Sequence, residues 1–187
     1  MTRIIGGDAG GRRLRTPTGA GTRPTSDRVR EALFSAVDAA LGSLHGLRFL
    51  DLYAGSGAVG LEARSRGAGV VTLVEQDRRT ATVIRDNVRS LGFSQVEVVV
   101  SAVARLVERA PRTPYDVVFL DPPYAVPTGE VEAVLVALHE MGWLTPDALV
   151  VVERPTRGSE VPWPPGLTAV RRKKYGETTL WYGHATG

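Results

Sequence analysis

The chain has no cysteine, so disulfides and thiolate metal sites are excluded. Its three histidines, His45, His139 and His184, lie far apart, and neither a zinc site nor any other metal is expected. No apolar run approaches the roughly 20 residues of a membrane span. The segment Met1-Thr2-Arg3-Ile4-Ile5-Gly6-Gly7 lacks the apolar stretch of a secretory leader. A cytoplasmic protein with no membrane partner is expected. Charge of one sign is also scarce, since the net charge is only +3. Ordinary core material is plentiful: 43% of the 187 residues are hydrophobic. That excludes a disordered chain and supports one domain with a sizeable core and room for an appendage.

The small net charge hides an uneven distribution. Residues 1–30 carry seven arginines, Arg3, Arg12, Arg13, Arg15, Arg23, Arg28 and Arg30, against only Asp8 and Asp27. A second basic cluster, Arg171-Arg172-Lys173-Lys174, lies near the other end. Arginine grips phosphate through two parallel hydrogen bonds. A charge run alone is ordinarily solvated surface. Two basic ends around a near-neutral body point instead to a nucleic-acid face. The seven arginines, with Arg172, Lys173 and Lys174, are its candidate contacts.

Glycines at 6, 7, 10, 11, 19 and 21 rule out a helix over residues 1–24. Short strands near Arg3-Ile4-Ile5 and Arg13-Leu14-Arg15 are expected to pair as a hairpin. It has few apolar side chains to bury, so alone it is marginal. An arm packed on the main domain or on a polyanion has this composition, and so does a disordered tail. A helix is expected to start at Thr25 or Ser26 as N-cap. Val29, Leu33, Phe34 and Val37 share its apolar face, with Arg28 and Arg30 directed outward.

Strands and helices then alternate. Strands are expected over Leu47–Tyr53, Val70–Val74, Val96–Val100, Tyr115–Leu120 and Ala148–Glu153. Helices are expected over Asp77–Leu91, Val103–Ala110 and Glu130–Met141, with one more opening at a glycine loop near residue 57. Residues Arg154–Pro165 read as a Pro/Gly-rich loop. Thr168–Lys174 and Thr178–Tyr182 read as a hairpin turned at Tyr175-Gly176-Glu177. This order predicts an α/β fold: a mostly parallel sheet, helices on both faces, and antiparallel pairing at one edge.

Three stretches carry chemistry. Asp51-Leu52-Tyr53-Ala54-Gly55-Ser56-Gly57 follows the first strand and opens a helix, so its backbone can approach a ligand closely. With Gly60 it also matches the dinucleotide-binding pattern. Asp51, however, would repel a pyrophosphate and suits a ligand with a cationic amino group. Glu75, followed by Gln76, ends the second strand, where an acid can take both hydroxyls of a ribose. Ser101 and Ala102 close the third strand where an adenine can lie.

The third stretch, Asp121-Pro122-Pro123-Tyr124, ends the fourth strand. The prolines fix φ and remove two backbone donors, so the strand stops there. They leave carbonyls without local partners, Asp121 adds acceptor oxygens, and Tyr124 adds a flat ring. A rigid set of acceptors beside an aromatic face suits a planar ring bearing an NH2 group. A Pro-Pro pair alone marks only a turn.

Together these motifs resemble the Rossmann-like S-adenosylmethionine-dependent methyltransferases, in the branch acting on exocyclic amines. The string Arg23-Pro24-Thr25-Ser26-Asp27-Arg28-Val29-Arg30-Glu31-Ala32-Leu33-Phe34, with the start Arg3-Ile4-Ile5-Gly6-Gly7 and the ending Lys173-Lys174-Tyr175-Gly176-Glu177-Thr178, is similar to the bacterial 16S ribosomal RNA guanine-N2 methyltransferases of the D type. The resemblance implies a Rossmann-like fold with a seven-stranded sheet. Residues 1–24 would form a basic hairpin extension and residues 25–187 the methyltransferase domain. It implies S-adenosylmethionine as cofactor, held by Asp51, Tyr53, Ala54, Gly55, Ser56, Gly57, Glu75, Gln76, Ser101, Ala102 and Asp121. It implies Asp121, Pro122, Pro123 and Tyr124 as the catalytic residues, with the basic ends on RNA. The partner implied is 16S rRNA in an assembling small subunit, met by a monomer. Asp-Pro-Pro-Tyr alone also serves enzymes that methylate DNA bases or protein, and a non-catalytic RNA-binding assembly factor can keep the fold.

Overall fold

A computed structural model describes residues 2–19 and 25–187. The chain divides into two compact units, Met1–Ser101 and Ala102–Gly187. The first contains β1 (Thr2–Arg3), β2 (Arg13–Leu14), α1 (Asp27–Leu41), β3 (Arg48–Leu52), α2 (Ala58–Ser65), β4 (Val70–Glu75), α3 (Arg78–Leu91) and β5 (Val96–Val100). The second contains α4 (Val103–Val107), β6 (Tyr115–Leu120), α5 (Thr128–Glu140), β7 (Leu144–Pro155), β8 (Leu167–Tyr175) and β9 (Thr178–Ala185). The seven strands β3 to β9 form the mostly parallel seven-stranded sheet expected from the sequence, and β1 with β2 forms the small separate hairpin.

In the first unit the strand order is β5-β4-β3, all parallel, with Leu50 opposite Thr72 and Leu73 opposite Val98. Phe49, Leu50, Leu52, Val71, Leu73 and Val74 are buried. These near-continuous apolar strands are what a parallel sheet covered by helices requires. α1 starts as expected: Ser26 Oγ accepts the Val29 N–H at 3.2 Å. Its apolar face, Val29, Leu33, Phe34 and Val37, is buried, and the Phe34 ring stacks 6.1 Å from Phe49.

Arg30 departs from the expectation. It is 0% exposed, not directed outward. On a helix, position 30 shares its face with 34 and 37 as well as 33, so burying Phe34 and Val37 takes Arg30 in with them. Its guanidinium donates to the Arg3 carbonyl and to Asp27 Oδ1, and its Nε lies 3.9 Å from the buried Glu62 carboxylate. Burial works against its charge, and Glu62 and Asp27 act to hold that charge.

The same carboxylate anchors the hairpin arm. Glu62 accepts the Ile5 and Gly6 N–H groups at 2.8 Å each and Arg66 Nε at 2.8 Å. Ser65 Oγ accepts the Ala9 N–H at 2.9 Å and donates to the Gly6 carbonyl at 2.6 Å. Gly7 has φ +75°, and a Cβ there would sit 1.9 Å from the Ser65 carbonyl oxygen; only glycine fits. Asn87 accepts the Arg15 N–H and donates to the Arg15 carbonyl, at 2.8 and 2.9 Å. Ile4, Ala9 and Leu14 are buried. The arm has few apolar groups, as its sequence indicated, and polar side chains of α2 and α3 hold its backbone instead.

In the second unit the strand order is β6-β7-β9-β8. β6 and β7 are parallel, and β7-β9 and β9-β8 are antiparallel. Val131, Val134, Leu135 and Leu138 of α5 are buried, as their spacing requires. Tyr115 stacks 6.0 Å from Trp143, whose Nε1 donates to the Arg109 carbonyl at 2.8 Å. β7 is longer than expected at both ends, because Leu144 pairs with Tyr115 and Pro155 with Thr178. Arg154 is therefore strand, not loop. α4 is shorter, ending at Val107. β8 ends the strand order and carries Arg171, Arg172, Lys173 and Lys174 in succession, all exposed, with a register shift between Ala169 and Arg171.

Candidate active site

In the first unit the C-terminal ends of β3, β4 and β5 meet. The Ala54 N–H donates to the Val74 carbonyl at 2.9 Å, and the Ser101 N–H to the Glu75 carbonyl at 3.1 Å. The Glu75 carboxylate is fixed by two backbone donors, Gly55 N–H on Oε2 and Asp77 N–H on Oε1, each at 2.9 Å. Each oxygen keeps a further lone pair for a ligand hydroxyl. The expected residues Asp51, Tyr53, Ala54, Gly55, Ser56, Gly57, Glu75, Gln76 and Ser101 are thus brought to one set of strand ends. Ala102, which opens the second unit, is the N-cap of α4.

The glycine loop is tight. Tyr53 sits at φ 62°, a conformation that costs a bulky non-glycine residue about 1–3 kcal/mol. Gly55, at φ +58°, would point a Cβ into open space, whereas a Cβ on Gly57 or Gly60 would press on Leu73. Gly55 therefore faces the room a ligand needs, and Gly57 and Gly60 serve packing. The polar side chain of Asn87 lies on the buried stripe of α3 with Ala81, Ile84 and Leu91. Its Nδ2 donates to the Ser56 carbonyl at 3.3 Å. The sequence reading missed Asn87, although a polar residue on an apolar stripe is a readable signal.

Asp51 is 1% exposed. Its Oδ2 accepts the Gly60 N–H at 2.8 Å. Burial, with a smaller push from the Glu75 charge and against the pull of that N–H bond, raises its carboxyl to about 7. Among the described residues, no cation is one of the groups that set the Asp51 carboxyl, and a cationic ligand beside it would favour its charged form. The α-amino group of S-adenosylmethionine is a suitable one, Glu75 suits its ribose, and the opening at Gly55 suits its methionine portion. The residues present fit this cofactor.

A pH dependence follows. A proton and a cationic ligand compete for the Asp51 carboxylate. Cofactor affinity is expected to be flat above about pH 7 and to fall below it by on the order of tenfold per pH unit. Titration calorimetry with S-adenosylhomocysteine from pH 5.5 to 8.5 measures this, and Asp51→Asn should bind more weakly with no slope. A flat wild-type profile would remove Asp51 from this role.

In the second unit β6 ends at Leu120, and Asp121, Pro122, Pro123 and Tyr124 follow it. Pro122 is buried, Asp121 half-buried, Pro123 exposed, and the Tyr124 ring stands 59% exposed. An aromatic ring left this open is available for stacking. The Val126 N–H donates to the Pro123 carbonyl at 2.9 Å, closing a four-residue turn around Tyr124. Arg154 on β7 donates to the carbonyls of Pro122, Pro123 and Val126, at 3.4, 3.4 and 2.9 Å. Nothing in the sequence signalled this residue, which lies 32 positions from Pro122.

The basic residues divide. Arg3 pairs with Asp27 at 3.1 Å, Arg15 lies 3.8 Å from Asp86, and Arg12 donates to the Ser90 carbonyl at 2.6 Å. Arg13 and Arg28 are exposed, and Arg23 lies outside the described residues. Arg30 is buried in the Glu62 network and is withdrawn from the RNA-facing set. On β8, Arg172 pairs with Glu160 and lies 5.1 Å over the Trp181 ring, and Lys173 lies 5.6 Å over Tyr175. Lys174 is exposed.

Comparison with known proteins gives the family. The family model described as "Conserved hypothetical protein 95" matches residues 2–184. The ribosomal RNA small subunit methyltransferase D of Escherichia coli K12 is 39% identical over 173 residues, covering 92% of this chain and 83% of that protein. The protein of the same name from Haemophilus influenzae is 40% identical over 154 residues, covering 81% and 77%. The solved structure of a putative methyltransferase, yhhF, from Escherichia coli superposes with a TM-score of 0.87 at 34% identity, covering 99% of this chain and 98% of that one. The chain belongs to the ribosomal RNA small subunit methyltransferase D family of S-adenosylmethionine-dependent methyltransferases.

Proposed function

We propose that this protein transfers the methyl group of S-adenosylmethionine to the exocyclic N2 of one guanine in 16S rRNA. It acts as a cytoplasmic monomer on an assembling small ribosomal subunit. The observation that carries the reading is the turn at Asp121–Val126, which carries an exposed tyrosine ring, two proline carbonyls and a carboxylate in succession. The names of the relatives support rRNA as the polymer.

The strand-end residues would hold the cofactor: Asp51 its amino group, Glu75 its ribose, the Ala54–Gly57 backbone its methionine portion, and Ser101 and Ala102 its adenine. When bound, S-adenosylmethionine supplies a methyl group made electrophilic by its sulfonium. The second unit holds the base. A guanine paired in RNA cannot reach such a site, so it must be unpaired or swung out. Tyr124 then stacks on its ring. The N2 lone pair is delocalised into that ring and is a poor nucleophile. Asp121 and the Pro122 carbonyl accept the N2 hydrogens, which raises electron density on N2 and fixes the direction of its lone pair. One N2 proton must leave as the new N–C bond forms, and Asp121 is the titratable acceptor in the motif. Most of the barrier reduction is then positioning. The exposed arginines of the arm, with Arg172, Lys173 and Lys174 of β8, bind flanking phosphates.

The test uses labelled S-adenosylmethionine and small subunits from cells lacking this protein, with nucleoside digestion and mass spectrometry. Label in N2-methylguanosine is expected. Label in another nucleoside would keep the chemistry and overturn the base. No label, from protein that binds the cofactor, would move the substrate to DNA or protein.

A further inference from the structure

The two prolines of the catalytic turn create a problem the sequence does not solve. Proline lacks an N–H, so the Asp121–Tyr124 stretch cannot brace itself through its own backbone donors at 122 and 123. The Val126–Pro123 bond closes only the far side of the turn. Arg154 supplies what is missing. It lies on β7, paired through β9 at Thr179, so its own backbone is fixed. Its fork reaches three successive parts of the turn, at the carbonyls of Pro122, Pro123 and Val126. A guanidinium is planar, always charged and donates in several directions, so this one side chain reaches all three carbonyls.

We propose that Arg154 is a positioning residue for methyl transfer: it fixes the carbonyls of the Asp121–Val126 turn so that the Pro122 oxygen and the Tyr124 ring meet the target base in one geometry. This rests on the guanine-N2 reading above. A carbonyl oxygen has two lone pairs, so the Pro122 oxygen can accept from Arg154 and still accept from the base amine. With the clamp removed, the turn keeps its sequence but loses its fixed shape. A displacement on the order of 1 Å at a reacting group costs about 100-fold in rate.

The experiment is steady-state and single-turnover methylation of small subunits by the full chain, comparing wild type with Arg154→Met, Arg154→Lys and Arg154→Ala. Wild type must first label N2-methylguanosine; if it does not, the functional reading fails before this one is reached. For Arg154→Met the expected result is kcat lower by about 30- to 100-fold, with S-adenosylhomocysteine affinity within about twofold of wild type. Arg154→Lys should recover part of the rate, since one ammonium reaches fewer carbonyls. Sub-denaturing guanidinium should raise the turnover of Arg154→Ala, which has the space for it, and not that of Arg154→Met, which does not.

Three results would overturn the proposal. One is kcat within about threefold of wild type in Arg154→Met. Another is cofactor affinity falling in step with rate. The third is unchanged kcat at saturating RNA together with a salt slope of RNA binding shallower by about one, which marks a phosphate contact. If the methionine and alanine variants do not fold, Arg154→Lys decides, and wild-type kcat there would equally refute the role.

Discussion

Replacing Glu62 with alanine is expected to lower the stability of the protein by about 3–5 kcal/mol, the range for removing one partner of a buried ion pair. Glu62 is 0% exposed and so is Arg30. The variant leaves the Arg30 charge in the interior with its Nε facing no carboxylate, and strips Arg66 of one of its two 2.8 Å partners, leaving Glu31. It also removes the acceptor of the part-buried Ile5 and Gly6 N–H groups, each held at 2.8 Å. Glu62→Gln keeps the volume and one acceptor but turns an NH2 toward a backbone donor, so it should recover only part of the loss. Urea denaturation gives the magnitude, and hydrogen exchange gives the location. Ile5 and Gly6 amides should lose protection in Glu62→Ala while those of β3 and β4 keep theirs. A loss below about 1 kcal/mol would mean that Arg30 is satisfied by Asp27 and the Arg3 carbonyl alone.

The largest effect on activity is expected at Asp121. Asp121→Ala removes the carboxylate proposed to orient the target amine, and a loss of about 100- to 10,000-fold in kcat is expected. Cofactor affinity should stay within a few-fold, because Asp51, Glu75 and the glycine loop are untouched. Asp121→Asn is the sharper variant. It has nearly the same shape, but its amide can turn an NH2 toward an NH2, and it cannot take a proton. If accepting the proton matters, Asp121→Asn falls as far as Asp121→Ala. If only hydrogen bonding matters, it retains part of the rate through its carbonyl oxygen. Single-turnover kinetics with S-adenosylhomocysteine binding measured in parallel separates these outcomes, and full activity in Asp121→Ala would sink the assigned role.

The proposed chemistry is legible where it depends on consecutive residues. Asp121-Pro122-Pro123-Tyr124 states its rigidity, acceptors and ring in four letters, and the Asp51–Gly57 loop states its turn and its acid in seven. The alternation of apolar strands with amphipathic helices was legible for the same reason: burial repeats at fixed spacing. The residues that went unread act across long separations. Glu62 meets the arm 57 and 56 positions away, and Asn87 meets Arg15 across 72. Arg30 was misread because a charged side chain on the flank of an apolar face looks like surface until its carboxylate partner on another helix is known. The extra length of β7 came from pairing with β9, a tertiary effect that overrides the composition of residues 154 and 155.

The run of cations on β8 has a second consequence. β8 ends the strand order and presents an open row of backbone donors and acceptors. Such an edge invites another strand, and the usual end is self-association. Four consecutive exposed cations, with a register break beside Val170, make that edge both repulsive and irregular. The side chains proposed to bind RNA phosphates would therefore also disfavour strand-to-strand pairing of two copies at this edge. A variant that neutralises Arg171 to Lys174 would lose RNA affinity and gain stickiness together, and light scattering belongs beside every binding curve measured on it.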